Sequence, residues 1–258
     1  MSCKNKETRE TLLRGIGEVH LEILAEKLER KFGVQLKLTQ PKVAYRETIR
    51  KSVKVQGKHK KQSGGHGQYG DVWLEISPQA AGEGNAFTES IFGGSVPRQY
   101  IPAVEKGTEE TLAGGVLAGY PVVDVKVNLY DGSYHAVDSS EAAFKTAAAL
   151  AIKKGIMEAR PILLEPIDKI TVTAPEYYMG DVMGKLNSKR AQIMGVDSKG
   201  KDMSEIQARI PVAELFKFAT DLRSLTQGRG SYSLEFSHYE PMPEKAAEKV
   251  IAEAAAKE

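Results

Sequence analysis

The stretch richest in possible chemistry is "KHKKQSGGHGQYGDV", Lys58 to Val72, where Gly65, Gly67 and Gly70 spell G-x-G-x-x-G. That spacing cradles a pyrophosphate when the glycines follow a strand and open a helix. Here the flanks read differently. After Gly70, Val72, Leu74 and Ile76 alternate with Asp71, Trp73 and Glu75 as far as Pro78, and period two predicts a strand. Before the glycines, Val53 and Val55 point one way while Ser52, Lys54, Gln56, Lys58 and Lys60 point the other. Two alternating runs around a polar, Gly-rich connection predict a hairpin with a broad tip. A nucleotide-binding enzyme built on Gly65, Gly67 and Gly70 is the rival reading.

The lysines offer a different chemistry. Arg50, Lys51, Lys54, Lys58, Lys60 and Lys61 lie along one strand. At about 3.3 Å per residue they can track a phosphate backbone. Asp71 and Glu75 on the neighbouring strand can pair with some of them. The lysines nevertheless continue past those carboxylates into a tip holding His66, Gln68 and Tyr69. Cations, amides and a stackable ring are what proteins apply to irregular RNA. The five histidines, His20, His59, His66, His135 and His238, show no metal-ligand spacing, and no G-x-S-x-G elbow accompanies them. His20 and His238 read as packed or surface residues. His66 and His135 both sit at Gly-containing turns of one region and can share one of its ends. A second candidate is "DLRSLTQGRGSY", with Arg223, Gln227, Gly228, Arg229 and Gly230. Arginine offers forked donors to phosphate and glycine exposes backbone N–H groups; a helix C-cap with surface arginines is the plainer alternative.

Composition bounds these readings. A chain of 258 residues holds one to three domains. With 36 Lys and Arg against 34 Asp and Glu, any nucleic-acid site must be a local patch. The single Cys3 allows no intrachain disulfide and fits a reducing compartment. There is no apolar signal core at the start and no run near the roughly 20 apolar residues of a membrane span, so a cytosolic protein without a membrane partner is expected.

The elements that must position these residues fall into three regions. "TLLRGI", a helix over "GEVHLEILAEKLERKF" and "VQLKL" read as strand, helix, strand, with Val19, Ile23, Leu24, Leu28 and Phe32 as the inward stripe and Gly33 as the stop. A βαβ unit of this size has too small a core to stand alone. From Pro41 the hairpin is followed by "AFTESIFGG" and a helix from about Pro97 to Gly114-Gly115. The strand "PVVDVKVNLY" then turns Val123, Val125, Val127 and Leu129 inward. An Ala-rich helix follows, with Asp138 as expected N-cap and Glu141 as its capping-box partner. The third region reads βαββαβ, a ferredoxin-like order. Its first helix shows Met179, Val182, Met183 and Leu186 as a stripe, and its second, over "PVAELFKFATDLRSLTQG", shows Val212, Leu215, Phe216, Ala219 and Leu222. A surface tail helix closes the chain.

At this level of detail the sequence resembles one family. "GEVHLEI", "AYRETI", "KQSGGHGQYGDV", "YIPAVEKG", "LAGYPVVDVKVNLYDGSYHAVDSSEAAFK", "LLEPI", "YMGDVMGKLNSKRAQIMG" and "ATDLRSLTQGRGSYSLEFSHYEP" look like the C-terminal half of bacterial elongation factor G, in the family's order. The resemblance implies an α+β multidomain fold. Residues 1–40 would be the second half of domain III, a partial ferredoxin-like βαβ unit. Residues 41–162 would be domain IV, an elongated α/β domain with a left-handed βαβ crossover. Residues 163–258 would be domain V, ferredoxin-like, with the tail helix.

The function implied is promotion of tRNA–mRNA translocation. The partners would be the ribosome, at the small-subunit decoding region and the large-subunit factor-binding site, the tRNA–mRNA itself, and the N-terminal GTPase domains of the same parent. By resemblance the tip consists of Gln62, Ser63, Gly64, Gly65, His66, Gly67, Gln68 and Tyr69 together with Asp131, Gly132, Ser133, Tyr134 and His135. Lys58, Lys60 and Lys61 would meet RNA phosphates. Arg223, Gln227, Gly228 and Arg229 would contact large-subunit RNA. His135 matches the position of the modified histidine of the eukaryotic counterpart. No G-x-x-x-x-G-K-[ST] occurs in the chain, so the expectation is no enzyme, no metal and no cofactor here, with GTP and Mg held by N-terminal domains of the parent. Two departures stand out. Ala191 lies where many members carry glycine, and "KHKKQ" before "GGHGQYG" looks more like a paralogous elongation-factor-G-like group. Ribosome-protection proteins share the architecture but differ in their tip loops.

Overall fold

The computed structural model describes residues 2–4, 10–13, 18–35, 39–62, 67–200 and 202–256. It divides into two compact units, one of residues 1–44 with 165–240 and one of 45–164 with 241–258. In chain order the strands and helices are β1 (Ser2–Lys4), β2 (Thr11–Leu13), α1 (Glu18–Phe32), β3 (Arg46–Ile49), β4 (Val53–Lys61), β5 (Gln68–Pro78), β6 (Ala86–Glu89), α2 (Ile101–Gly114), β7 (Val125–Ser133), α3 (Glu141–Glu158), β8 (Pro161–Pro175), α4 (Met179–Ser188), β9 (Gln192–Gly200), β10 (Met203–Pro211), α5 (Phe218–Leu225), β11 (Ser231–Pro241) and α6 (Glu244–Ala255). The fold is mixed α+β.

The unit of 45–164 is a sheet of order β4-β5-β7-β6 with α3 packed on one face. The expected hairpin is present: β4 pairs antiparallel with β5 from Val53↔Ile76 to Lys61↔Gln68. No helix follows Gly70, so the pyrophosphate context is absent. β6 lies parallel to β7, and α2 connects them. Val55, Val72, Leu74, Ile76, Val125, Val127 and Leu129 fill the core with Phe144, Ile152 and Ile156 of α3.

The contact between α3 and the hairpin is made by the smallest side chains available. A Cβ built on Gly57 would overlap the Ala147 carbonyl oxygen, and one on Gly70 would lie 2.5 Å from the Ala143 carbonyl oxygen. Ala143, Ala147, Ala148 and Ala151 are buried along the same face of α3. Glycine on the strand and alanine on the helix let the two backbones touch, as the Ala-rich composition predicts.

Two details of this unit differ from the sequence reading. β7 begins at Val125, not Val123, because Asp124 takes a left-handed φ of 57° and its carboxylate accepts from the Gly84 N–H at 2.8 Å. Val122 is therefore the buried residue ahead of the strand. The N-cap of α3 is Ser140, whose hydroxyl accepts from the Ala143 N–H at 3.2 Å; Asp138 has other work. A feature the sequence did not reveal is Glu47 on β3. It is fully buried and accepts four backbone N–H groups, from Val116, Leu117, Ala118 and Tyr120, at 2.7–3.0 Å. That carboxylate gathers the Gly-rich turn ahead of β7 into a fixed shape.

In the other unit the order β11-β8-β10-β9 is the ferredoxin-like arrangement read from the sequence. Ile170, Val172, Ala174, Ile206, Ala208 and Ile210 of the sheet pack against Met179, Val182 and Leu186 of α4 and Phe218 and Leu222 of α5. The expected single helix over 211–228 is shorter. A one-turn 3₁₀ helix, Val212–Leu215, precedes α5, and Lys217 at φ 60° separates them. Phe218 thus becomes the core residue and Phe216 is exposed. Arg190 forms a bidentate pair with the buried Glu165 at 2.8 and 2.9 Å and also reaches Glu214 at 2.9 Å. Hydrogen bonding to Glu165 raises the Arg190 pKa. The left-handed φ falls on Arg190, not on Ala191, so alanine at 191 is free of strain.

The expected stripe of α1 is only partly buried. Ile23 and Phe32 are exposed and Leu24 and Leu28 half-buried, while the side chain of Val19 lies outside the described residues. An amphipathic helix buries its stripe only against a partner surface. Gly33 ends α1 at φ 65° as expected. Of the strand expected over 34–38, Val34 and Gln35 are irregular and 36–38 lie outside the described residues.

The seam on α3 predicts an asymmetry between glycines. Gly57→Ala should cost about 1–3 kcal/mol in urea unfolding, the usual penalty of overpacking a close contact. Gly114→Ala, at the end of α2 with open space around its Cβ position, should be neutral or stabilise by up to about 1 kcal/mol. Equal effects would contradict the close seating of α3.

Candidate nucleic-acid interface

The seam fixes where the lead-in to α3 can run, and that places it against the end of the hairpin. The Asp138 carboxylate accepts from the Gly67 N–H at 3.0 Å, and its backbone carbonyl accepts from the Tyr69 N–H at 2.8 Å. Ser139 completes the join: its hydroxyl donates to the Tyr69 carbonyl at 3.0 Å and accepts from the His135 N–H at 2.9 Å. A Cβ at Gly67 would lie 2.9 Å from the Asp138 carboxylate. Two of the three glycines in the G-x-G-x-x-G string are thus explained by close approach, Gly67 to Asp138 and Gly70 to Ala143. The third, Gly65, lies outside the described residues together with Ser63, Gly64 and His66.

Among the described residues, the two loops come together at Tyr69 and His135. The rings of Tyr69 and His135 lie 6.3 Å apart. Lys60, Lys61, Gln62, Gln68, Tyr69, His135 and Asp138 line one open cleft of about 150 Å³. His135 is oriented by its own turn: Nδ1 accepts from the backbone N–H groups of Val137 at 3.3 Å and Asp138 at 3.2 Å. The same Nδ1 lies 3.4 Å from the Asp138 carboxylate. Tyr69 is held from below as well, its hydroxyl 2.7 Å from the Ser133 hydroxyl, which donates to the buried Asp71 at 2.8 Å. Asp131 accepts from the Gly132 N–H at 2.8 Å, and Tyr134 is exposed.

The lysines divide in two. Lys54 lies 3.7 Å from Glu75 and Lys58 lies 4.0 Å from Asp71, so the pairing that the sequence allowed accounts for them. Lys58 also stands over the Tyr69 ring, 5.6 Å from its centroid. Lys60 and Lys61 have no acidic partner among the described residues, and both line the cleft. The arrangement can bind an anion flanked by a planar ring; among the described residues no group of His, Cys, Asp and Glu could hold a metal.

The second candidate forms the C-terminal cap of α5. Gln227 and Gly228 take left-handed φ values of 51° and 79°, and the Gly228 N–H reaches the Arg223 carbonyl at 2.8 Å. Buried Thr226 accepts from the Gly230 N–H at 2.8 Å. Arg223 and Arg229 are exposed. Arg229 donates to the Tyr177 hydroxyl at 2.8 Å, a partner the sequence reading missed because 52 residues separate them. Tyr177 and Tyr178 are in ring contact at 4.2 Å, and burial followed by the Tyr177 hydroxyl raises the Tyr178 pKa. Asp138 and Ser139 are the other omissions. Asp138 fits an N-cap pattern in the sequence, and nothing local separates that role from its reach to Gly67.

Comparison with known proteins agrees with the fold and the motifs. Family models match over residues 2–40 (elongation factor G, domain III), 41–160 (elongation factor G, domain IV) and 162–250 (elongation factor G C-terminus). The chain belongs to the elongation factor G family. A crystal structure from Thermus thermophilus is 45% identical, with a TM-score of 0.86, and the match covers 99% of this chain and 38% of that one. The chain therefore spans well under half the length of that protein. It carries the non-catalytic C-terminal domains of the family.

Asp138 predicts how rigid the tip is. Asp138→Ala removes a charged acceptor from Gly67, and amide exchange at Gly67 should rise about ten- to a hundredfold, the span for a hydrogen bond to a charged group, while exchange in β5 beyond Val72 stays unchanged. Unaltered exchange at Gly67 would show that the loops are not joined through this carboxylate.

Proposed function

We propose that this chain is the ribosome-binding part of an elongation-factor-G-type translational GTPase, and that its hairpin tip enters the small-subunit decoding region to promote tRNA–mRNA translocation. The observation that carries this reading is the joined tip, where Lys60 and Lys61, unpaired among the described residues, flank Tyr69 and His135 on two loops tied through Asp138. Phosphate needs the lysines and a base needs the rings. At Gly67 the missing Cβ lets the two loops meet.

Arg223, Gln227, Gly228 and Arg229 are the proposed contact with large-subunit RNA, which follows from family membership and from the exposed arginines at the α5 cap. The partners in this reading are the ribosome, tRNA–mRNA and the family's GTPase domains, with GTP and Mg bound there, and the compartment is the cytoplasm. Among the described residues no helix is long and apolar enough to cross a membrane.

The test is pelleting with ribosomes across a salt series. Binding should weaken steeply with salt, each phosphate contact contributing about 0.7–0.9 to the log–log slope. Lys60→Ala with Lys61→Ala should lower that slope by about 1.5. A chain that fails to pellet at low salt, or a double variant with the parental slope, contradicts the assignment.

A further inference from the structure

The cap of α5 has a neighbour whose ring is left in water. Tyr177 lies in a one-turn 3₁₀ helix, Glu176–Tyr178, between β8 and α4, and is 61% exposed. Its hydroxyl accepts from Arg229 Nη1 at 2.8 Å, and its ring centroid lies 4.2 Å from that of Tyr178. Tyr178 is half-buried against the core of this unit, so one ring is anchored and the other stands on it. The cap does not need the Tyr177 bond to hold its shape. Gly228 and Arg229 donate their backbone N–H groups to the Arg223 and Thr226 carbonyls at 2.8 and 3.0 Å, and the Gly230 N–H reaches the Thr226 hydroxyl at 2.8 Å. What the Tyr177 hydroxyl fixes is the guanidinium, whose other N–H donors make no hydrogen bond among the described residues.

We infer that Tyr177 is the base-stacking residue of the α5-cap site, and that Arg229, steered by its hydroxyl, meets the phosphate of the same nucleotide. This rests on the proposed contact of the cap with large-subunit RNA, and it names what the site takes there: an unpaired base together with its phosphate. Geometry and charge select that occupant. Joined through the hydroxyl, a stacking ring and a forked donor lie side by side, as base and phosphate do within one nucleotide. The ring is backed by Tyr178 on one side, and its exposure leaves area for a base. The fork is free of competition. Arg223 and Arg229 have no carboxylate partner among the described residues, and Asp221, the acidic residue of α5, is held by Lys185 at 3.0 Å and Lys189 at 3.6 Å. Glu176 and Asp181 are exposed carboxylates close to the tyrosines in sequence, and neither pairs with Arg223 or Arg229.

The experiment measures binding of the 258-residue chain to purified large ribosomal subunits across a salt series, with chemical probing of the RNA bases. Tyr177→Ala should weaken binding about tenfold, the scale of one stacked base. It should also abolish protection of a base, while the salt slope stays unchanged because no charge is lost. Tyr177→Phe, which keeps the ring, should bind within about threefold of the parental chain and retain the protection. Arg229→Gln should lower the slope by about 0.7–0.9. Equal losses in Tyr177→Phe and Tyr177→Ala would reduce Tyr177 to a holder of Arg229. A loss in Tyr177→Ala with every base still protected would put a protein at the ring. Either result overturns the inference. If Arg229→Gln weakens binding and Tyr177→Ala does not, the stacking role fails and the cap reading stands; if neither changes it, the cap reading falls as well.

Discussion

The structure of the tip depends on one constraint, the approach of the α3 backbone to the β4–β5 hairpin. Gly57 and Gly70 have no Cβ, and Ala143, Ala147 and Ala151 present little more than one. With larger residues at these places the helix would stand off the sheet. Its preceding turn, His135 to Ser140, would then move away from Gly67 and Tyr69. The 3.0 Å hydrogen bonds that Asp138 accepts and Ser139 donates need backbone positions held to a fraction of an ångström. A packing requirement in the core therefore decides the geometry of polar groups at the surface.

That coupling gives the G-x-G-x-x-G string its meaning in this chain. The same spacing that brings a backbone close to a pyrophosphate elsewhere brings it close to a carboxylate and a helix here. The context separates the two: β5, 11 residues long from Gln68 to Pro78, runs straight through Gly70, with no helix N-terminus for an anion to meet. Glu47 acts on the same principle at greater depth. Four N–H donors that would otherwise point into the interior converge on its carboxylate, and the turn that feeds β7 is set by them.

Period and punctuation carried most of the fold. The hairpin, the α3 face, the α4 stripe and the βαββαβ order are all local patterns that the packing reinforces. The misreadings share a cause. Asp124 and Lys217 adopt left-handed backbone without being glycine, and each shifts an element end that composition alone would place elsewhere. Asp138 and Ser140 are both good caps by type, and only the position of Gly67, 71 residues away in sequence, decides which one caps α3. The α1 stripe shows the limit of amphipathicity: it marks a face able to be buried, not one that has a partner. At the candidate site, residue types were legible because lysine, glycine and histidine cluster in sequence, whereas the Arg229–Tyr177 contact and the Asp138 bridge arise only in three dimensions.

The proposed role separates RNA engagement from nucleotide chemistry, and a full-length factor carrying His135→Ala tests that separation most directly. Measured side by side, tRNA–mRNA movement should slow while ribosome-stimulated GTP hydrolysis continues at the parental rate. Equal loss of both activities, or no loss of movement, would contradict a tip that acts through its histidine-bearing loop.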